Sequence, residues 1–130
     1  PLAGMQDALL NCLNNPAQYA AIYALQHPEL TQGLYNIVRH NRDLCVRSLA
    51  PLVQREIISF QKPSGGFFLF MKTEEKDATN LCMSILHGAK VSMVPGTSFG
   101  PSGASFIRLC YARETVLLEE GLRRIVTFLS

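Results

Sequence analysis

The chain has 130 residues, of which 48% are hydrophobic and 17% charged, and its formal net charge is +2. This length is enough for one hydrophobic core and too short for two full domains. The charges are scattered without basic runs, which argues against nucleic acid or an anionic membrane surface as a partner. Apolar runs such as residues 67–71 are far shorter than the roughly 20 residues that span a bilayer, so we expect no membrane segment and no signal peptide.

The four cysteines, Cys12, Cys45, Cys82 and Cys110, lie in apolar surroundings and form no C-x-x-C pair. This pattern is typical of reduced core residues in an intracellular protein, and argues against a disulfide framework or a zinc site. The chain begins with Pro1 instead of methionine. We therefore expect a processed product or a piece of a longer protein.

Helices are predicted over the first third of the chain. Apolar residues recur at helical spacing over residues 4–27, and Asn14 followed by Pro16 marks the start of a second helix there. After Pro28, apolar residues at intervals of three, four and seven predict an amphipathic helix of about six turns that ends at Pro51. Its predicted core face comprises Leu30, Leu34, Ile37, Leu44, Cys45 and Leu49, and its predicted solvated face comprises Arg39, Arg42, Asp43 and Arg47.

From Ile57 the apolar pattern changes to that of strands. The segments "IISFQKP" and "SGGFFLFMKT" predict two strands joined through a turn at residues 63–66, because β-branched and aromatic residues flank strong turn formers. Helical spacing returns over residues 77–87, with Gly88 as the expected C-terminal cap.

The last third of the chain continues this alternation. A short strand over residues 91–94 precedes a Gly- and Pro-rich loop over residues 95–103, and a second strand is predicted over residues 105–111. A helix over residues 114–128 follows, with a predicted core side of Leu117, Leu118, Leu122, Ile125, Val126 and Leu129. The order is helices, then β-β-α-β-β-α, which predicts an α+β fold with helices on one face of a small sheet.

Most candidate chemical groups have an ordinary structural explanation. His27 and His87 fall at predicted helix ends and His40 on a polar helix face, without metal-ligand spacing. The segment "GTSFGPSG" lacks the G-K-[ST] ending of a phosphate loop, and a strand follows it where a helix would be needed.

Arg108 has no such simple explanation. It lies within the apolar run Phe106–Tyr111, and on a strand it shares one face with Phe106 and Cys110. A buried guanidinium needs an anion. The sequence leaves three possibilities open: a charge that protects an edge strand from aggregation, an internal salt bridge, or a ligand carboxylate bound by the two-donor fork of arginine.

Four motifs in succession resemble the C-terminal small domain of class I/II aminotransferases, the pyridoxal-phosphate enzymes of fold type I. They are "KPSGGFFLFMK", the "VPGTSF" loop, the "FIRLCY" strand and the "LEEGLRRI" helix, in the order and at the separations typical of that family. The segment "NNPAQYAAIYAL" is similar to the one that leads from the family's large domain into the interdomain helix. The resemblance therefore implies two parts, residues 1–27 from the end of the large domain and residues 28–130 as the small domain.

The resemblance implies a function and a role for Arg108. The family transfers an amino group between an amino acid and a 2-keto acid with pyridoxal 5'-phosphate as cofactor. By resemblance, Arg108 binds the substrate α-carboxylate, Phe68 lies near the substrate, and the loop over residues 95–99 borders the site. The parent protein is expected to be a cytoplasmic homodimer, with no nucleic-acid or membrane partner.

One departure from the family pattern concerns the lysine that binds the cofactor. In the family this lysine lies in a Ser/Thr-rich motif upstream of the region matched here, whereas Lys62, Lys72, Lys76 and Lys90 have no such context. The isolated chain is therefore expected to be inactive and to hold no cofactor-binding or catalytic residue of its own. Two alternatives stay open: a lyase or synthase of the same fold type, and a non-catalytic α+β module that binds a ligand or mediates oligomerisation.

Overall fold

The structure is a computed structural model that describes residues 2–9 and 14–130. Its helices are α1 (Leu2–Leu9), α2 (Asn15–Gln26), α3 (Glu29–Gln54), α4 (Ala78–Ala89) and α5 (Thr115–Leu129), and its strands are β1 (Ile58–Ser59), β2 (Phe68–Thr73), β3 (Val94–Pro95) and β4 (Phe106–Cys110). Two short 3-10 turns, Gly96–Phe99 and Pro101–Gly103, lie between β3 and β4. No helix in these described ranges is long and apolar enough to cross a membrane.

The chain divides into two units, one reaching to Tyr35 and the other comprising Asn36–Ser130. In the first unit, the Asn14 side chain accepts a hydrogen bond from the Ala17 amide at 3.2 Å and caps α2, as predicted. No residue of α2 is buried. The division of the chain at residues 27 and 28 that the resemblance implies stays a prediction.

The second unit is built on a four-stranded antiparallel sheet in the order β1-β2-β4-β3. Side chains alternate between the two faces of β2, where Leu69, Met71 and Thr73 are buried while Phe68, Phe70 and Lys72 are exposed. The buried face packs into one core with apolar residues of α3, α4 and α5. The α+β class predicted from the sequence is therefore confirmed.

Asn41 joins α3 to the end of β4 and the start of α5. This fully buried side chain donates hydrogen bonds to the carbonyl oxygens of Tyr111 at 3.0 Å and Arg113 at 2.8 Å. Its amide oxygen accepts a bond from the Thr115 hydroxyl at 2.9 Å. Because buried polar groups are costly when unpaired, these three bonds fix the place where β4 ends and α5 begins.

Two predicted helix ends were wrong. Pro51 lies inside α3, which continues to Gln54. Proline lacks the amide that would donate to the Arg47 carbonyl. Because Arg47 is exposed, water can replace this hydrogen bond. Gly88 lies inside α4, and Lys90 forms the cap in the left-handed region with φ 58°. The ring of Phe128 occupies the space that a side chain at position 88 would need, so this glycine permits the close packing of α4 and α5.

Three further expectations were wrong in detail. The strand expected over residues 91–94 is Val94–Pro95, which pairs only with Arg108 and Ile107 of β4. Leu117, assigned to the core side of α5, is 61% exposed because Leu118, Leu122 and Ile125 already form its buried stripe. The apolar residues in the first half of α3 that were assigned to its core face are also exposed, namely Leu30, Leu34 and Ile37.

The thiols agree with the expectation of reduced cysteines wherever they are described. Cys45 and Cys82 are buried and Cys110 is half-buried, and all three are free. Burial, with a smaller contribution from Cys110, raises the pKa of the Cys45 thiol to about 12, which keeps it protonated and unreactive. The prediction for Cys12 falls outside the described residues.

Replacement of Asn41 by alanine should destabilise the second unit by about 3 kcal/mol, because it removes all three hydrogen bonds that this fully buried side chain makes. Thr115→Ala removes only one of these bonds and should cost about 1 kcal/mol. Urea unfolding gives the two costs, and amide hydrogen exchange of β4 should accelerate more in Asn41→Ala. Equal costs for the two variants would contradict the role assigned to Asn41.

Candidate functional site

Arg108 lies at the centre of the sheet. Strand β4 is flanked by β2 and β3, and Arg108 is in register with Phe70 on one side and Val94 on the other. Its neighbours Ile107 and Leu109 are buried, so alternation directs Arg108 to the opposite face, where it is half-buried. An interior strand has no free edge, which rules out protection of an edge strand as the explanation for this charge.

Two aromatic rings contact the Arg108 guanidinium. Its Cζ atom lies 4.1 Å from the centroid of the Phe68 ring and 4.6 Å from that of Phe99, both within cation–π range. In the part of the chain that the structure describes, no carboxylate forms a salt bridge with Arg108. The internal salt bridge considered from the sequence is therefore not formed there.

Phenylalanine side chains continue this surface along the sheet. The rings of Phe70 and Phe106 are stacked, with centroids 4.9 Å apart and an interplanar angle of 7°. The rings of Phe99 and Phe70 are nearly perpendicular, with centroids 6.0 Å apart. Phe68 and Phe70 are 42% and 41% exposed. Phe68, Phe70 and Phe106 line one side of an open groove of about 740 Å³, and residues 59–64 line the other.

The loop between β3 and β4 places Phe99 over Arg108. A Cβ atom added to Gly103 would meet the backbone of Gly96, and one added to Gly96 would lie 2.8 Å from the Phe106 carbonyl oxygen. The two ends of the loop thus touch backbone to backbone, which only glycine permits. At the other side of the loop, the Thr97 hydroxyl lies 3.4 Å from the Thr79 hydroxyl in the first turn of α4.

Tyr111 fixes the segment that leads into β2. Its ring is buried, and its hydroxyl donates to the carbonyl oxygens of Gly65 and Gly66, which lie 3.2 and 3.1 Å away. Its amide donates to the Phe67 carbonyl at 2.9 Å. Burial raises the pKa of the Tyr111 phenol, so the hydroxyl stays a donor. Because Phe68 follows directly, Tyr111 helps to determine where that ring lies.

An ion pair network holds the far wall of the groove against α3. Asp43 binds Lys62 at 2.8 Å and Arg42 at 2.9 Å, and Arg42 also donates to the Pro63 carbonyl at 3.3 Å. Bonds from Lys62 and Arg42 lower the pKa of Asp43 to about 2. Arg42 and Asp43 were predicted to lie on a solvated face, but they are half-buried because the β1–β2 connection covers them.

All four lysines of the chain lie on the surface of the described structure. An amine that forms a covalent bond to a cofactor is activated by burial or a neighbouring cation that lowers its pKa, whereas Lys62, Lys72, Lys76 and Lys90 are all exposed. Lys62 is in addition paired with Asp43. Among residues 2–9 and 14–130, no group of three or more His, Cys, Asp or Glu side chains could hold a metal ion.

Comparison with known proteins identifies the family of the chain. The profile of the family described as "Aminotransferase class I and II" matches residues 2–125. The chain belongs to this family. It is 32% identical to the "Probable aspartate/prephenate aminotransferase" of Aquifex aeolicus, over 95% of this chain and 32% of that protein. It is also 32% identical to the "Aspartate aminotransferase" of Thermotoga maritima, over 97% of this chain and 31% of that protein.

Solved structures of the family have the same fold. The alanine aminotransferase from Pyrococcus furiosus superposes with a TM-score of 0.79 and 32% identity, covering 91% of this chain and 30% of that one. MJ0684 from Methanococcus jannaschii gives a TM-score of 0.80 and 25% identity, covering 98% and 34%. The chain thus spans about a third of the length of the curated relatives and solved structures that it matches.

The structure brings together the site residues that the resemblance implied. Arg108, Phe68 and the loop ending at Phe99 lie on one face of the sheet, and their roles stay predictions. The contact between Phe99 and Arg108 was not foreseen, because a 3-10 turn in a loop has no periodicity from which a facing direction could be read. Strand alternation placed Phe106 on the face of Arg108 from the sequence, whereas Phe70 lies beside Arg108 through the pairing of β2 with β4, which no local pattern reveals.

The stabilising contribution of the Asp43 network should disappear in acid. The pKa of Asp43 is about 2 in the fold, below its ordinary value of 3.8, so the contribution is complete above about pH 4 and is lost as pH falls toward 2. The difference in free energy of unfolding between the natural protein and Asp43→Asn should therefore shrink across this window.

Amide exchange of residues 61–64 should locate this effect. Asp43→Asn is expected to accelerate exchange there, whereas Glu120→Gln, which removes two ion pairs on α5, should leave these amides unchanged. A difference in stability that stays constant from pH 7 to pH 2.5 would contradict the role of this network.

Proposed function

We propose that this chain is the C-terminal part of a pyridoxal-phosphate-dependent aminotransferase, in which Arg108 binds the α-carboxylate of the amino-acid substrate. The observation that carries the proposal is a half-buried guanidinium on an interior strand whose described contacts are two aromatic rings. Membership of the class I/II aminotransferase family supports it. So do the names of relatives that act on aspartate or alanine, which are α-amino acids.

The chemistry of Arg108 suits a carboxylate. A guanidinium presents two parallel N–H donors that match the two oxygens of a carboxylate, and such charge-assisted bonds are about twice as strong as neutral ones. Aromatic faces contact the flat surfaces of the guanidinium and satisfy none of its N–H donors. The donors therefore remain available to a substrate on the exposed face of the sheet.

Binding the carboxylate would determine which bond at the substrate α-carbon is aligned for reaction. A substrate held at one end in a fixed direction reacts faster because less rotational freedom has to be lost in the transition state. Pyridoxal 5'-phosphate supplies the electron sink for amino-group transfer to a 2-keto acid. Since the lysines of this chain are exposed, we assign cofactor binding and proton transfer to the remaining part of the parent protein.

Replacement of Arg108 by glutamine should lower kcat/KM for amino-acid substrates about 100-fold in the full-length enzyme, as expected for the loss of two charge-assisted hydrogen bonds. Arg108→Lys keeps the charge without the fork and should recover only part of this loss. The control is Arg39→Gln on the exposed surface of α3. Unchanged kinetics for both amino-acid and keto-acid substrates in Arg108→Gln would refute the carboxylate-binding role.

The 130-residue chain by itself should show no aminotransferase activity. With added pyridoxal 5'-phosphate, the visible absorption band of a cofactor bound to one specific lysine should be absent, and borohydride should trap no stoichiometric adduct. The full-length protein treated in the same way is the positive control. Stoichiometric trapping at one of the four lysines would overturn the assignment of cofactor binding to the rest of the parent protein.

A further inference from the structure

We propose that Phe99 is a positioning residue for Arg108, and that the backbone contact between Gly96 and Gly103 holds it in place for this purpose. The inference rests on the proposed function, because it assumes that Arg108 binds the substrate carboxylate. It adds a residue outside the sheet to those that determine carboxylate binding.

The two rings that contact Arg108 are held in different ways. Phe68 belongs to β2, where its register with Cys110 fixes its backbone position relative to β4. Phe99 has no such partner strand, since it ends a 3-10 turn in the loop between β3 and β4. Together the two rings restrict a side chain that otherwise has several rotatable bonds and no hydrogen bond or ion pair to any described residue.

Phe99 is exposed to an extent that core packing does not explain. Its side chain is 54% exposed, and its ring contacts in the described structure are Arg108 at 4.6 Å and the nearly perpendicular ring of Phe70 at 6.0 Å. A large apolar side chain in such a place gains little from burial. We therefore expect the Phe99 ring to orient the guanidinium and to contribute little to the stability of the fold. Its replacement should leave the fold intact.

The loop provides the means of holding an exposed ring. Gly96 and Gly103 lie backbone to backbone. Between them, Gly100 accepts from the Gly103 amide at 3.0 Å and donates to the Thr97 carbonyl at 3.2 Å. Gly100 has φ +125°, a conformation that other residues rarely adopt. A side chain at position 96 or 103 would separate the two backbone segments, and the ring at position 99 would move with them.

A double-mutant cycle tests the coupling between Phe99 and Arg108. The full-length enzyme is compared with Phe99→Leu, Arg108→Gln and the double variant, by measuring the dissociation constant of 2-aminoisobutyrate, an amino acid without an α-hydrogen. Phe99→Leu should weaken binding about fivefold, in the range of a cation–π contact, and should have no further effect when Arg108 is already glutamine. The amide of the same compound should bind equally to the enzyme and to Phe99→Leu.

Conservative and control variants separate positioning from general disturbance. Phe99→Tyr keeps the ring and should bind within twofold of the natural enzyme, and the melting temperature of Phe99→Leu should be unchanged. Phe67→Leu changes another exposed phenylalanine, with 48% exposure, and should leave binding unaffected. Gly103→Ala should weaken binding about as much as Phe99→Leu, whereas Gly65→Ala, with open space around it, should not.

The outcomes distinguish this inference from the proposed function. The positioning role is overturned if Phe99→Leu weakens binding similarly in both backgrounds. It is also overturned if Phe99→Leu has no effect while Arg108→Gln weakens binding. Either result leaves the carboxylate role of Arg108 in place. Unchanged binding in Arg108→Gln overturns the proposed function itself. Unchanged binding in Gly103→Ala refutes the part assigned to the loop, and if that variant does not fold, the Phe99 series still decides the role of the ring.

Discussion

Five residue pairs join β2 to β4 in antiparallel register, and this pairing determines which side chains the sheet presents on each face. The pairs Leu69–Leu109 and Met71–Ile107 are buried, so Phe70 and Arg108, paired between them, lie on the other face. A slip of β4 by one residue would direct the guanidinium into the apolar core and expose Ile107 and Leu109. The cost of burying an unpaired charge thus reinforces the register that the apolar residues select.

Hydrogen bonds beyond the ends of the pairing hold this register. The Tyr111 amide donates to the Phe67 carbonyl at 2.9 Å at one end, and the Thr73 amide donates to the Ser105 carbonyl at 2.8 Å at the other. Asn41 of α3 holds the Tyr111 end of β4 through its bonds to the Tyr111 and Arg113 carbonyl oxygens. The helices and loops of the second unit therefore act on Arg108 mainly through the placement of β4, while the ring of Phe99 acts on its side chain.

The magnitudes of the interactions favour a ligand for Arg108. A cation–π contact at a partly exposed site contributes about 1 kcal/mol, whereas each hydrogen bond to a charged group contributes about 1.5–3 kcal/mol. Two rings can therefore restrict the motion of a guanidinium, but their contacts supply less free energy than two hydrogen bonds from its N–H donors to an anion. This comparison is the physical reason for assigning the rings to positioning and a carboxylate to the donors.

Sequence periodicity predicted the features that repeat and missed those that depend on a single contact. The order of helices and strands and the face of Arg108 follow from alternation along the chain. The three bonds of Asn41 join residues about 70 positions apart, and no local pattern signals them.

Pro51 and Gly88 were wrongly predicted to end helices. Whether a proline or glycine ends a helix depends on its surroundings, which are solvent for Pro51 and the Phe128 ring for Gly88. Helical spacing identified Leu30 and Leu34 as apolar positions on one face, but it does not reveal whether anything covers that face.

The most direct test of the central claim is a crystal structure of the full-length protein with 2-aminoisobutyrate bound. The predicted result is a carboxylate with both oxygens about 3 Å from nitrogen atoms of the Arg108 guanidinium, while the Phe68 and Phe99 rings keep their contacts with it. A carboxylate bound by other side chains, with Arg108 still in contact with the two rings alone, would contradict the account.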